Sequence, residues 1–92
     1  MKITKVTCTR IVENSKILAT FSAEFDDILI IRDIKLIDGS KGKFISWPNR
    51  AYKDEDETKY YDQAFITDKE LKSQLEDKIK KAYKKAREDD DE

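Results

Sequence analysis

Hydrophobic and polar residues alternate with a period of two from the start of the chain. Val6, Cys8, Arg10 and Val12 fall on one side of an extended segment, and Ile3, Lys5, Thr7, Thr9 and Ile11 on the other. A stretch so rich in β-branched residues predicts a strand over residues 2–12. Glu13-Asn14-Ser15 then offers turn chemistry. The next run alternates more cleanly: Ile17, Ala19, Phe21, Ala23 and Phe25 face one way, Leu18, Thr20, Ser22 and Glu24 the other. That is the signature of a half-buried antiparallel strand.

After a short turn at Asp26-Asp27, residues 28–37 predict a third strand that is apolar on both faces near its start. Counted at period two, Ile28, Ile30, Ile34 and Leu36 share a face with Arg32, while Leu29, Ile31 and Ile37 share the other with Asp33 and Lys35. Asp38 to Gly42 reads as a glycine-containing hairpin turn. Lys43 to Trp47 reads as a fourth strand, stopped by Pro48, which cannot donate to a ladder. Residues 49–59, with the acidic run Asp54-Glu55-Asp56-Glu57, read as a polar loop, and Tyr60 to Phe65 as a short return strand.

The period then changes to that of a helix. Leu71, Leu75, Ile79, Ala82, Tyr83 and Ala86 form one apolar stripe. Thr67 followed by Glu70 matches a capping box, and Ile66 with Leu71 a hydrophobic staple. The pattern predicts a helix from Asp68 to about Arg87, roughly 30 Å long at 1.5 Å per residue. The acids that follow oppose the helix dipole, so the last turn is expected to fray into a disordered acidic tail over residues 88–92. Strands followed by a single helix, with no βαβ alternation, give an α+β fold: an antiparallel sheet of four to five strands and one C-terminal amphipathic helix.

Composition narrows the possibilities. Ninety-two residues allow one domain, taken here as 1–87, and its core must be thin. Oligomerisation is a common remedy for so small a core. Charged residues make up 42% of the chain. No apolar run approaches the roughly 20 residues of a membrane helix, and the opening residues lack the apolar stretch of a signal peptide, so a cytoplasmic location is expected. The single cysteine cannot form an intrachain disulfide, and with no histidine in the sequence a Cys/His zinc site or a histidine-based triad cannot form within one chain. Cys8 reads as a small buried apolar residue in a strand rather than a nucleophile. Asp26, Asp27 and Asp33 read as turn and strand-edge residues, not an acid–base or metal site. Neither an enzyme nor a cofactor is expected.

Net charge is −1, yet the charge is unevenly placed: residues 68–87 carry eight basic and four acidic groups, and residues 88–92 are all acidic. Phosphate binding depends on clustered positive charge rather than on the total. On the helix, Lys78, Lys81 and Lys85 lie beside the apolar stripe, and Lys80, Lys84 and Arg87 form a second basic band. Either a phosphate-binding stripe or a solvated face with i,i+4 pairs such as Glu76–Lys80 would look like this.

Several stretches, in order, resemble the stage V sporulation protein G (SpoVG) family. They are the opening Lys2-Ile3-Thr4; Phe25-Asp26 followed by an apolar strand and Asp33-Ile34-Lys35-Leu36-Ile37-Asp38-Gly39; Gly42-Lys43-Phe44-Ile45 leading to Trp47-Pro48-Asn49-Arg50; and Asp62 to Ile66 leading into the helix. The likeness covers about residues 1–86. Trp47 stands where the family often has Met, Asn49-Arg50-Ala51 where it often has Ser-Arg-Lys, and the acidic run where it has a short polar loop. The resemblance implies a bacterial regulator that dimerises through its sheet and binds DNA, and in some members RNA, with ties to sporulation and the division septum. On that basis the candidate nucleic-acid-binding residues are Arg50, Lys53, Lys43 and Lys59, with Trp47 and Tyr52 interleaved as stacking groups. In the competing reading the aromatics cover core edges, the basic groups pair with Asp54–Glu57, and the chain is a protein-interaction module that does not bind nucleic acid directly.

Overall fold

The computed structural model describes residues 1–90. Strands β1 (Ile3–Ile11), β2 (Ile17–Phe25), β3 (Leu29–Gly39) and β4 (Gly42–Ser46) form an antiparallel sheet in sequence order. Strands β5 (Asn49–Asp54) and β6 (Glu57–Asp62) pair with each other as a separate two-stranded sheet, and helix α1 runs from Lys69 to Asp90. The expected α+β architecture is therefore present, with one correction. Residues 49–62 do not form a loop followed by a fifth strand of the main sheet; they are a hairpin of their own.

One face of the four-stranded sheet is roofed by α1. Along β2, Ala19, Phe21, Ala23 and Phe25 are fully buried at every second position, as the alternation predicts. Ile31, Ile34, Leu36, Ile45 and Trp47 join them from the sheet side, and Leu75 and Ile79 from the helix. Leu71, Ala82 and Tyr83 flank the helical pair. Complete burial of a Leu or Ile side chain is worth about 1.5–3 kcal/mol, so Leu75 and Ile79 anchor the roof.

The face assignments along β1 and β3 depart from simple alternation, and β-bulges explain both. On β1 the register slips between Ile3 and Lys5 and again between Cys8 and Arg10. Each slip places two residues opposite one and reverses the side-chain parity. Ile3, Val6, Cys8 and Ile11 thereby share the inner face, which the exposure pattern of the strand follows. On β3 the slip lies between the pairs Phe21↔Ile34 and Ala23↔Ile31, with Asp33 in the left-handed region at φ 59°. Ile31 therefore points inward together with Ile34 and Leu36, not away from them as an unbroken count predicts. Arg32 and Asp33, the two bulged residues, are exposed.

The turns have local causes. Asp26 and Asp27 both adopt positive φ (52° and 58°), and the Ile28 N–H donates to the Phe25 carbonyl at 3.0 Å. Two left-handed residues inside an i→i+3 hydrogen bond are the primed-turn geometry that matches strand twist. The Asp26 carboxylate also accepts from the Lys2 N–H at 2.8 Å, tying the first strand to the turn. At the β3–β4 turn, Gly42 sits at φ 127°, a conformation open to glycine and few other residues.

The helix begins one residue later than the capping-box pattern indicates. The Asp68 carboxylate accepts from the Glu70 N–H at 2.9 Å and the Leu71 N–H at 3.1 Å, and the first helical bond runs from Lys72 N–H to the Asp68 carbonyl. Asp68, not Thr67, is the N-cap; its carboxylate also suits the positive end of the helix dipole. At the other end the helix continues to Asp90 rather than stopping near Arg87. The rest of the expected acidic tail, residues 91–92, lies outside the described residues.

Candidate functional site

The β5–β6 hairpin is exposed at every position. Its two strands pack mainly on each other, so its side chains are not there to build the core. Two hydrogen bonds close its base. The Gln63 N–H donates to the Pro48 carbonyl at 2.6 Å, and Asn49 Nδ2 donates to the carbonyl of the buried Trp47 at 3.1 Å.

Period two divides the hairpin into two faces. Arg50 and Tyr52 on β5 lie opposite Tyr61 and Lys59 on β6, the direct pairs being Arg50↔Tyr61 and Tyr52↔Lys59. Cation and aromatic thus alternate in a two-by-two checkerboard. The Arg50 guanidinium carbon lies 5.5 Å from the centre of the Tyr52 ring. Tyr52 and Tyr61 meet diagonally, edge to face, with centroids 5.4 Å apart, a favoured aromatic geometry. The opposite face carries Ala51 and Lys53 against Tyr60 and Thr58. The acidic run forms the tip: Asp54 pairs with Glu57, and Glu55 turns the chain at φ 53°.

The four basic residues singled out by the sequence are therefore not one site. Arg50 and Lys59 share the checkerboard face. Lys53 belongs to the other face of the same hairpin. Lys43 is in β4, with its Nζ 5.9 Å from the centre of the Tyr83 ring on α1. Trp47 is buried with 6% exposure and is no stacking platform; it is a core residue. Tyr61 was not among the candidates. The signal for it is weak: it becomes Arg50's neighbour only once the hairpin register is known.

The aspartates suggested as turn residues are engaged as such: Asp26 in the bond to Lys2 N–H, and Asp27 through its N–H to Thr4 Oγ1 at 3.4 Å. Cys8 is half-buried on the inner face, and its burial pushes the thiol pKa up from its ordinary value. That disfavours the reactive thiolate. No helix among the described residues is long and apolar enough to cross a membrane.

Comparison with known proteins fits this architecture. The SpoVG family model matches residues 1–85, the sheet, the hairpin and most of the helix. The SpoVG protein of Clostridioides difficile is 35% identical over 86 residues, covering 94% of this chain and 90% of that one. The SpoVG protein of Lachnospira eligens is 35% identical over 86 residues, or 94% of each chain. That of Symbiobacterium thermophilum is 35% identical over 83 residues, which is 90% of this chain but 57% of the relative; the chain spans little more than half the length of that protein. With the family model matched over residues 1–85 and relatives 35% identical over more than nine-tenths of its length, the chain belongs to the SpoVG family.

Proposed function

We propose that this chain is a non-enzymatic nucleic-acid-binding regulator that works as a homodimer in the bacterial cytoplasm and holds DNA or RNA on the checkerboard face of its hairpin. The observation that carries the reading is the exposed Arg50–Tyr52–Lys59–Tyr61 face. Guanidinium and ammonium groups bond phosphate oxygens, and aromatic rings stack on unpaired bases. Alternating the two at strand spacing offers a strand both kinds of contact at once. Asp54 and Glu57 continue this face only at the tip, and Asp62, at the base, pairs with Asn49 on the opposite face, so the positive charge of the checkerboard lies toward its base.

Dimerisation suits the same geometry. Among the described residues β1 and β4 each pair with one neighbour only, leaving an open edge on either side of the sheet, and the face away from α1 exposes Ile30 and Phe44 to about half their surface. A second copy joined through the sheet edge pairs the backbone groups left open there. The curated relatives carry a name that links them to septation; we extend that link, and the family's tie to sporulation, to this chain.

The test is a fluorescence-anisotropy titration of a labelled 20-base single strand and the matching duplex at low salt. Wild type is expected to bind at least one, with affinity falling steeply as salt rises. Arg50→Ala should weaken binding several-fold and Lys53→Ala, on the opposite face, much less. Absence of binding to either probe sinks the reading in favour of a protein-interaction module built around the acidic tip. In sedimentation equilibrium the particle should weigh about twice the 10.8 kDa chain.

A further inference from the structure

We propose that the end of α1 and the start of β4 form a second phosphate-binding site, engaged by the backbone of the same nucleic acid that the hairpin holds; the inference rests on that reading. Lys43, Lys80, Tyr83, Lys84, Arg87 and Glu88 line a cleft of about 340 Å³. Four of the six are cations and one is an acid, so the cleft carries a net charge of +3. All four cations are exposed.

Folding accounts for only part of this arrangement: Glu76–Lys80 and Lys84–Glu88 are favourable i,i+4 pairs on the helix. Lys80 and Lys84 are four apart on the helix and Lys84 and Arg87 three apart, spacings at which like charges destabilise a helix by a few tenths of a kcal/mol per pair. The helix C-terminus offsets part of that cost. It does not account for Lys43, which arrives from a different element. Lys43 faces Asp38 across the β3–β4 ladder, yet its ammonium is directed to the Tyr83 ring and the cleft, while Asp38 does not line it. Like charges converging from two elements on one concavity are relieved by an anion bearing several acceptor oxygens, and a phosphate supplies them.

The distance suits a shared ligand. Arg50 is seven positions beyond Lys43, so their backbones are no more than about 25 Å apart even fully extended. One strand of a duplex advances about 3.4 Å per nucleotide, so roughly seven nucleotides bridge the cleft and the hairpin.

The experiment uses the full chain and the labelled 20-base single strand. Each cation that neutralises a phosphate contributes about 0.7 to the slope of log affinity against log salt for single strands. The double variant K84Q/R87Q should therefore show a slope shallower by about 1.4. Between 50 and 200 mM salt, wild type should lose about sevenfold more affinity than the variant does. An unchanged slope in K84Q/R87Q, with binding still weakened by Arg50→Ala, overturns the cleft and leaves the hairpin reading standing. A wild type that binds no oligonucleotide overturns both. A free phosphate compound is separated from the backbone by titrating inorganic tripolyphosphate and following the Tyr83 ring by NMR. If tripolyphosphate binds wild type and not K84Q/R87Q while the oligonucleotide slope is the same in both, the cleft serves a free anion and the proposal fails.

Discussion

Along β2 every second side chain is sealed beneath the helix, whereas along β5 and β6 no side chain is buried. Both regions are antiparallel and both alternate. They differ in what lies against them. In the main sheet, Leu75 and Ile79 close over Phe21, Phe25, Ile34 and Leu36, and stability comes from apolar area removed from water. The hairpin has no such cover. A two-stranded ribbon is marginal in water, so this one is held by its base and by cross-strand contacts such as Tyr52–Tyr61. Its residues are free to be chosen for what they touch outside the chain. The thin core thus concentrates folding energy in one part of the molecule and leaves recognition to the other.

The sharpest way to break this contrast is to remove one aromatic from each region. Phe21→Ala, in the sealed layer, should lower the unfolding free energy by about 3–5 kcal/mol in urea denaturation. Tyr60→Ala, on the hairpin, should change it by less than about 0.5 kcal/mol. Comparable losses would show that the hairpin is part of the cooperative core and would undo the division.

A smaller effect tests whether the inner face of β3 depends on its bulge. Asp33→Val places a β-branched residue at φ 59° and should cost about 1–2 kcal/mol, while Asp33→Gly should be neutral or mildly stabilising. Equal effects would mean that the left-handed residue does not pin the register. Smallest is the helix start. Asp68→Ala should cost about 1 kcal/mol, and Thr67→Ala close to nothing, since the cap bonds run to Asp68. Thermal melts of the two variants would rank them; the reverse order would restore Thr67 as the cap.

Much of the site was only half legible in the chain. Arg50 and Lys59 stood out as cations beside aromatics, but the acidic run between them concealed a hairpin. Tight turns are usually announced by Asn-Gly or Asp-Gly; here Glu55-Asp56 makes the turn, and nothing local marks it. Tyr60 and Tyr61, together with Tyr52, were the better clue, being residues suited to strands. Lys43 and Trp47 lie close to Arg50 in sequence and apart from it in role, because β4 carries Lys43 to the helix and Trp47 into the core.

By itself the sequence determined the elements: the strands β1 to β4, the single helix with its apolar stripe, and β2's inner face. Periodicity is a local property, and a helix stripe or an uninterrupted strand expresses it directly. Only the tertiary structure decided which way Ile3, Val6, Cys8, Ile11 and Ile31 point, that residues 49–62 form a hairpin, and which cations are neighbours. Bulges and register arise from pairing between strands, where one extra residue on one side reverses every side chain beyond it. Read in isolation, a strand has no partner against which that extra residue can be counted.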